Sequence, residues 1–243
     1  MKRREFLRLS SGLLLLTQFP LKLNANAKNI SAQNIELKDI RRISISVGAT
    51  KPFSALHVSD THFTRVDHRD NERKKKLAQN RAKSFPKAEA YFDATLQYAQ
   101  RKGLLLLHTG DLIDFVSAAN LDYVAEKLGT DHWITAAGNH EYSQYVGEAR
   151  EDANYKAQSY QKVQASFPND LTFASCIING VNFVAVDDVY YNFTSQQQQL
   201  MEKEIEKGLP IVMLCHVPIY TPDHAKEHLA NNNGRCAYMT GAP

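Results

Sequence analysis

Four short stretches carry side chains that bind metals or move protons: Asp60 and His62 in S-D-T-H-F, Asp111 and Asp114 in G-D-L-I-D-F, Asn139 and His140 in A-G-N-H-E, and His216 in L-C-H-V-P. Carboxylate, imidazole and amide oxygen together suit manganese, iron, cobalt or zinc better than calcium or a thiolate-bound metal. Two ions fit better than one, because Asp111 can offer one oxygen to each. Two such ions roughly 3.5–4 Å apart can clamp an in-line displacement at phosphorus and lower the pKa of a bridging water, so that hydroxide is available at neutral pH. Two divalent cations set against two aspartates and one hydroxide leave a positive excess that attracts a phosphate, and Asn139, being neutral, preserves it.

These residues must be gathered by the elements that precede them. Each follows an apolar run, at 53–59, 104–108, 132–136 and 211–215. The four leucines at 104–107 read as a strand buried on both faces, which brings Asp111 to the rim of the core. Ala88, Phe92, Leu96 and Ala99 recur at helical spacing before Gly103, and Ser117 caps a second helix carrying Leu121, Val124 and Leu128. Alternating strands and helices predict parallel strands, right-handed crossovers, helices on both faces, and ligands at the carboxyl ends of the strands. Ile43, Ile45 and Val47 alternate as a further strand. Asn179-Gly180 predicts a hairpin between 171–178 and 181–186. One helix is expected over about 153–166, and another opens on a Ser195/Gln198 capping box and ends near Gly208.

The blocks D-x-H, G-D-x-x-D and G-N-H-E, followed by a histidine at a strand end, resemble the calcineurin-like metallophosphoesterases across residues 56–218. The resemblance implies an α/β fold, a two-sheet β-sandwich core flanked by helices, and hydrolysis of phosphate monoesters or diesters. It implies that Asp60 and His62 bind one metal, that Asp111 bridges, and that Asn139 and His216 bind the second. His140 then faces the phosphate or protonates the leaving oxygen, and Asp114 orients a ligand or a loop. The family's closing G-H-x-H block is missing from these 243 residues. That departure predicts a chain cut before the end of its second sheet, and it keeps open a non-catalytic remnant holding at most one weakly bound metal.

Residues 1–27 have a basic start, a short apolar stretch and Ala25-x-Ala27 ahead of Lys28, the layout of an export signal. Arg3-Arg4 resembles the twin-arginine type, which predicts the twin-arginine translocation machinery as partner, a periplasmic or secreted location, and a mature domain over 28–243. The signal holds five Lys/Arg and one Glu, which leaves 24 basic and 25 acidic residues beyond it, so charge gives no reason to expect nucleic acid binding. No stretch of the mature part is long and apolar enough to span a bilayer. Cys176, Cys215 and Cys236 form no metal knuckle and no disulfide framework.

Several residues have plain structural readings. His57 and His108 lie inside apolar strands and read as core histidines, and Asp114 also suits an ordinary helix start. His224 and His228 stand at i and i+4 on a helix pattern, a spacing that can serve one metal. The basic run 69–81 reads as a solvated loop, with guidance of anionic substrates as the alternative. Tyr142 and Tyr145 either line a lid or pack.

Overall fold

The computed structural model describes residues 40–129, 133–148, 154–234 and 239–242. The signal sequence, His132 and Cys236 lie outside them. Strands β1 (Ala55–Val58), β2 (Leu105–Thr109) and β3 (Trp133–Ala136) form a parallel sheet in that order. Helices α1 (Glu72–Arg81) and α2 (Ala88–Lys102) connect β1 to β2, and α3 (Ala118–Lys127) connects β2 to β3. The second sheet holds β4 (Phe173–Ile178), antiparallel to β5 (Val181–Val186), and β6 (Ile211–Leu214), parallel to β5. Three more helices complete the described part: α4 (Asn154–Gln164), α5 (Ser195–Glu206) and α6 (Pro222–Asn231).

The two sheets pack face to face. Leu105, Leu107, Ile134 and Ala136 meet Val181, Phe183, Ala185, Val212 and Leu214 between them. On the opposite face of the first sheet, Phe92, Leu121, Val124 and Val163 close over Phe63, Leu112 and Ile113. This corrects the expectation of helices on both faces. The strand order runs 1-2-3 without reversing, so crossovers of one hand place their helices on one side and leave the other side to the second sheet. The two-sheet sandwich itself is as expected.

Other local expectations meet the structure unevenly. Asn179 and Gly180 both have positive φ, 49° and 78°, as a two-residue hairpin requires. Gly103 ends α2 in the left-handed conformation, and Ser117 caps α3. The capping box of α5 is shifted by one residue, to Thr194 and Gln197, because the Gln197 amide also donates to the carbonyls of Thr172 and Asp187 and is thereby fixed. Residues 43–47 form no strand: alternation needs a ladder partner, none is present among the described residues, and Ile43 and Ile45 remain exposed. Only Val47 and Ala49 turn inward, against the inter-sheet core. His57 is exposed on the edge strand β1 and not in the core, with Nε2 2.8 Å from Thr109 Oγ1.

The largest correction concerns the basic run 69–81. It is not a loop: from Glu72 onward it is helix α1, capped by Asn71, and it buries Lys74.

Candidate metal centre

All four apolar runs deliver their polar residues to one edge. Asp60 follows β1, Asp111 follows β2, Asn139 follows β3 and His216 follows β6. Beyond the strands the first two loops stay zipped together. Asp60 N–H donates to Gly110 O at 3.1 Å, His62 N–H to Asp111 O at 2.9 Å, Phe63 N–H to Leu112 O at 2.9 Å and Asp114 N–H to Phe63 O at 2.9 Å. Asp60, His62 and Asp111 all have positive φ, 55°, 52° and 56°, which Asp and His tolerate better than most residues. Gly110 and Gly138 are needed for close approach. A Cβ on Gly138 would lie 2.2 Å from Asp111 Oδ1, and one on Gly110 would lie 2.7 Å from His216 Nδ1.

Three imidazoles converge on one oxygen. The Nε2 atoms of His216, His62 and His140 lie 3.4, 3.6 and 3.9 Å from Asp111 Oδ2. Their other nitrogens are tied: His216 Nδ1 to Thr109 O at 2.8 Å, His140 Nδ1 to Asp114 O at 2.6 Å, and His62 Nδ1 to Asp114 Oδ1 at 2.9 Å. A carbonyl oxygen can only accept, so His216 and His140 carry their proton on Nδ1, and His62 does the same against an ionised carboxylate. In its neutral form each ring would aim an Nε2 lone pair at a carboxylate oxygen, an arrangement that calls for a cation, whether a proton or a metal ion. Asp60 completes the cluster, with Oδ1 3.6 Å from His62 Nε2. Two trios of ligand atoms, Asp60–Asp111–His216 and His62–Asp114–His140, each lie within 4.8 Å of one another.

Residues 53–240 match the family model described as calcineurin-like phosphoesterase. The chain belongs to the calcineurin-like phosphoesterase family. Comparison with curated proteins gave no significant match. Membership in a metallophosphoesterase family makes metal-dependent phosphoester hydrolysis the general chemistry, and the donor set found here fits it: oxygen and imidazole ligands, already oriented.

The electrostatics of this phosphoesterase cluster reflect the same convergence. Burial opposes charging of His62 and His216, yet the carboxylates beside them win. His62 is pushed up to about 9 by Asp114 and Asp60, and His216 up to about 10 by Asp111. Burial would raise the Asp60 carboxyl, but hydrogen bonds from His62 and Ser59 bring it down to about 2. Asp114 is likewise held below the usual carboxylate range, with burial outweighed by Arg81, His140 and His62.

Some of the predicted residues stand apart from the cluster. His224 and His228 lie on α6, which buries no residue, and belong to neither trio. Tyr142 packs: it is fully buried and its hydroxyl donates to Asp187 Oδ2 at 2.9 Å. Tyr145 sits beneath the Arg73 guanidinium, 3.7 Å from the ring centroid. His108, fully buried as expected, is pushed down to about 3 by burial and stays neutral between Gly110 N–H and Thr61 Oγ1.

Sequence reading gave no role to three groups that hold the site. Glu141 is completely buried, and its carboxylate accepts the N–H groups of Asp111 (2.7 Å), Leu112 (2.7 Å), Ile113 (3.1 Å) and Gly138 (2.6 Å). One side chain thus staples the loop after β2 to the loop after β3. Asp188 Oδ1 accepts the N–H groups of His216 and Val217 at 3.1 Å each, which fixes the start of the histidine loop. Arg81, on α1, grips Asp114. Glu141 and Asp188 carry a sequence signal, since each is an acid within a few residues of a buried strand end.

Proposed function

We propose that this chain is an exported phosphoesterase with a pair of divalent or trivalent metal ions, drawn from manganese, iron, zinc or cobalt. One observation carries the metal-binding part of this reading: three imidazoles, each with its far nitrogen tied down, present Nε2 to a single oxygen of Asp111. Such hydrogen bonding fixes the tautomer and the ring orientation of a ligating histidine in advance. Asp60 and His62 would hold one ion and Asn139 and His216 the other, and Asp111 would serve both.

When bound, the paired cations withdraw charge from the phosphoryl oxygens and make water acidic enough to attack at neutral pH. The chain's own residues do the remainder. Asp111, fixed by His140 N–H at 3.0 Å from Oδ1, sets the centre of the site. His140, whose charged form Asp114 and Asp111 favour against burial, presents Nε2–H to the bound ester and passes that proton to the leaving oxygen. Asp114 keeps that imidazole and the His62 ring from rotating. The substrate is a phosphate ester, monoester or diester, that reaches the site at the exposed Asp60 end.

Export is supported by residues 1–27. A twin-arginine route carries folded protein, so a site preformed by the fold takes up its metals before export. Replacing Arg3-Arg4 by Lys-Lys is expected to keep the chain inside the cell, where fractionation detects it.

Metal counting by mass spectrometry, joined to hydrolysis of a chromogenic phosphate ester, tests the enzyme reading. Near two ions per chain with turnover supports it. No metal and no turnover overturns it in favour of a binding module built on the same fold.

A further inference from the structure

We propose that Arg81 is a positioning residue that holds Asp114 and, through it, the rings of His62 and His140. The inference rests on the metal-dependent reading above. Arg81 lies in the last turn of α1, outside every motif of the family resemblance. Its Nε donates to Asp114 Oδ2 at 2.7 Å and its Nη2 to Oδ1 at 2.8 Å, a planar fork on a fully buried carboxylate. Oδ1 of the same group accepts from His62 Nδ1, and the Asp114 carbonyl accepts from His140 Nδ1. The same Oδ1 lies 3.4 Å from His140 Nδ1, so a single guanidinium stands behind the carboxylate that meets two of the three imidazoles converging on Asp111.

Two more contacts support this role. Phe85 stacks on the His62 ring at 4.4 Å and 15°, and the Arg81 guanidinium lies 5.1 Å from the Phe85 centroid, so one cation backs both the hydrogen bond and the stack that hold His62. The helix itself is anchored. Lys74, about two turns before Arg81 and on the same helix face, donates from Nζ to Val116 O at 2.6 Å and to Gln144 Oε1 at 2.9 Å. α1 thus braces the loop after β2 with two inward-facing cations, one at Val116 and one at Asp114. Without the fork, the Asp114 carboxylate is free to turn, and the Nε2 of His62 leaves its aim at Asp111 Oδ2.

Cobalt(II) titration of the full chain, followed by visible absorption and calorimetry, tests this in the wild type, Arg81→Gln, Arg81→Lys, Asp114→Asn and the Arg81→Gln/Asp114→Asn double variant. Arg81→Gln is expected to weaken cobalt binding by about 10–100-fold, the usual cost of removing support behind a ligand. Arg81→Lys falls between it and the wild type, because lysine keeps the charge but not the fork. The double variant binds no more weakly than Asp114→Asn alone, since both changes act through the same carboxylate. Turnover of a chromogenic phosphate ester falls in kcat with little change in KM.

Unchanged cobalt affinity in Arg81→Gln, or additive losses in the double variant, overturns the proposal. A raised KM with normal cobalt binding overturns it too, by making Arg81 a substrate contact. If Arg81→Gln does not fold by circular dichroism, Arg81→Lys carries the test, and wild-type affinity in that variant overturns the proposal. A wild type that takes up no cobalt overturns the metal reading and this inference together, whereas tight wild-type binding confines any failure to Arg81.

Discussion

Glu141→Gln is the sharpest single test of how the site is held. The wild-type carboxylate shares four N–H donors between its two oxygens: Leu112 and Ile113 on Oε1, Asp111 and Gly138 on Oε2. Glutamine keeps one oxygen and turns an NH₂ toward the other pair, so two buried donors lose their acceptor. With an unsatisfied buried donor costing about 1–3 kcal/mol, the pair costs about 2–6 kcal/mol. In a domain of this size each kcal/mol moves Tm by about 2–4 °C, so a loss of about 4 kcal/mol lowers it by roughly 8–16 °C. Burial and the neighbouring Asp111 push the Glu141 carboxyl up to about 7, against the pull of the N–H groups. Calorimetry of the metal-free chain therefore belongs above that pH, where the carboxylate is ionised. The two stapled loops carry Asp111 and Asn139, so metal occupancy should fall together with Tm. A Tm within about 2 °C of the wild type would show that the staple contributes nothing to stability.

Other predictions address the ligands and their protons. Asp111→Asn should remove metal and turnover together, while His140→Ala should retain metal and lose turnover, as metal counting and kcat will report; normal activity in Asp111→Asn would dismiss the bridging assignment. Gly138→Ala drives a Cβ to within 2.2 Å of Asp111 Oδ1 and should displace that carboxylate, lowering metal content more than Tm. In the metal-free chain, His62 and His216 are raised from 6.5 to about 9 and about 10. Their contribution to stability is full below 6.5 and fades as pH rises through those values. The metal-free Tm should therefore fall between neutral and alkaline pH, and a flat profile would contradict this. Metal binding at neutral pH must expel the same protons, so its calorimetric heat should vary with the ionisation enthalpy of the buffer.

How much of this could be read from sequence depends on whether a residue's partner is nearby in the chain. Asp60, Asp111, Asn139 and His216 each follow an apolar run, and a buried strand must end at the rim, so their convergence follows from local pattern and parallel topology. Asp114 was legible as a neighbour of the ligands, but its grip on His62 was not. Arg81 was misread. In a run crowded with cations, nothing local distinguishes Lys74 and Arg81, which face inward, from Lys75, which pairs with Glu72 near the surface. Their acceptors, Val116 and Asp114, lie 42 and 33 residues further along the chain. The single helical face followed from strand order, which alternation of elements does not encode. Ile43 and Ile45 show the converse: a sound strand pattern makes no strand without a neighbour to bond.

The positive φ angles at Asp60, His62 and Asp111 bear on whether the ion or the fold shapes the site. Each such residue costs of order 1–3 kcal/mol and persists only where its surroundings over-determine it. Here the surroundings are visible: the run of hydrogen bonds from Asp60 N–H through Asp114 N–H, the Glu141 staple behind Asp111, and the Arg81 fork behind Asp114. Aspartate suits the two strand-end positions on both counts, since it tolerates the left-handed backbone and supplies the carboxylate. The chain's own hydrogen bonds therefore suffice to hold these three residues in place, and the raised imidazoles of His62 and His216 follow from the same arrangement, as lone pairs fixed toward a carboxylate draw protons.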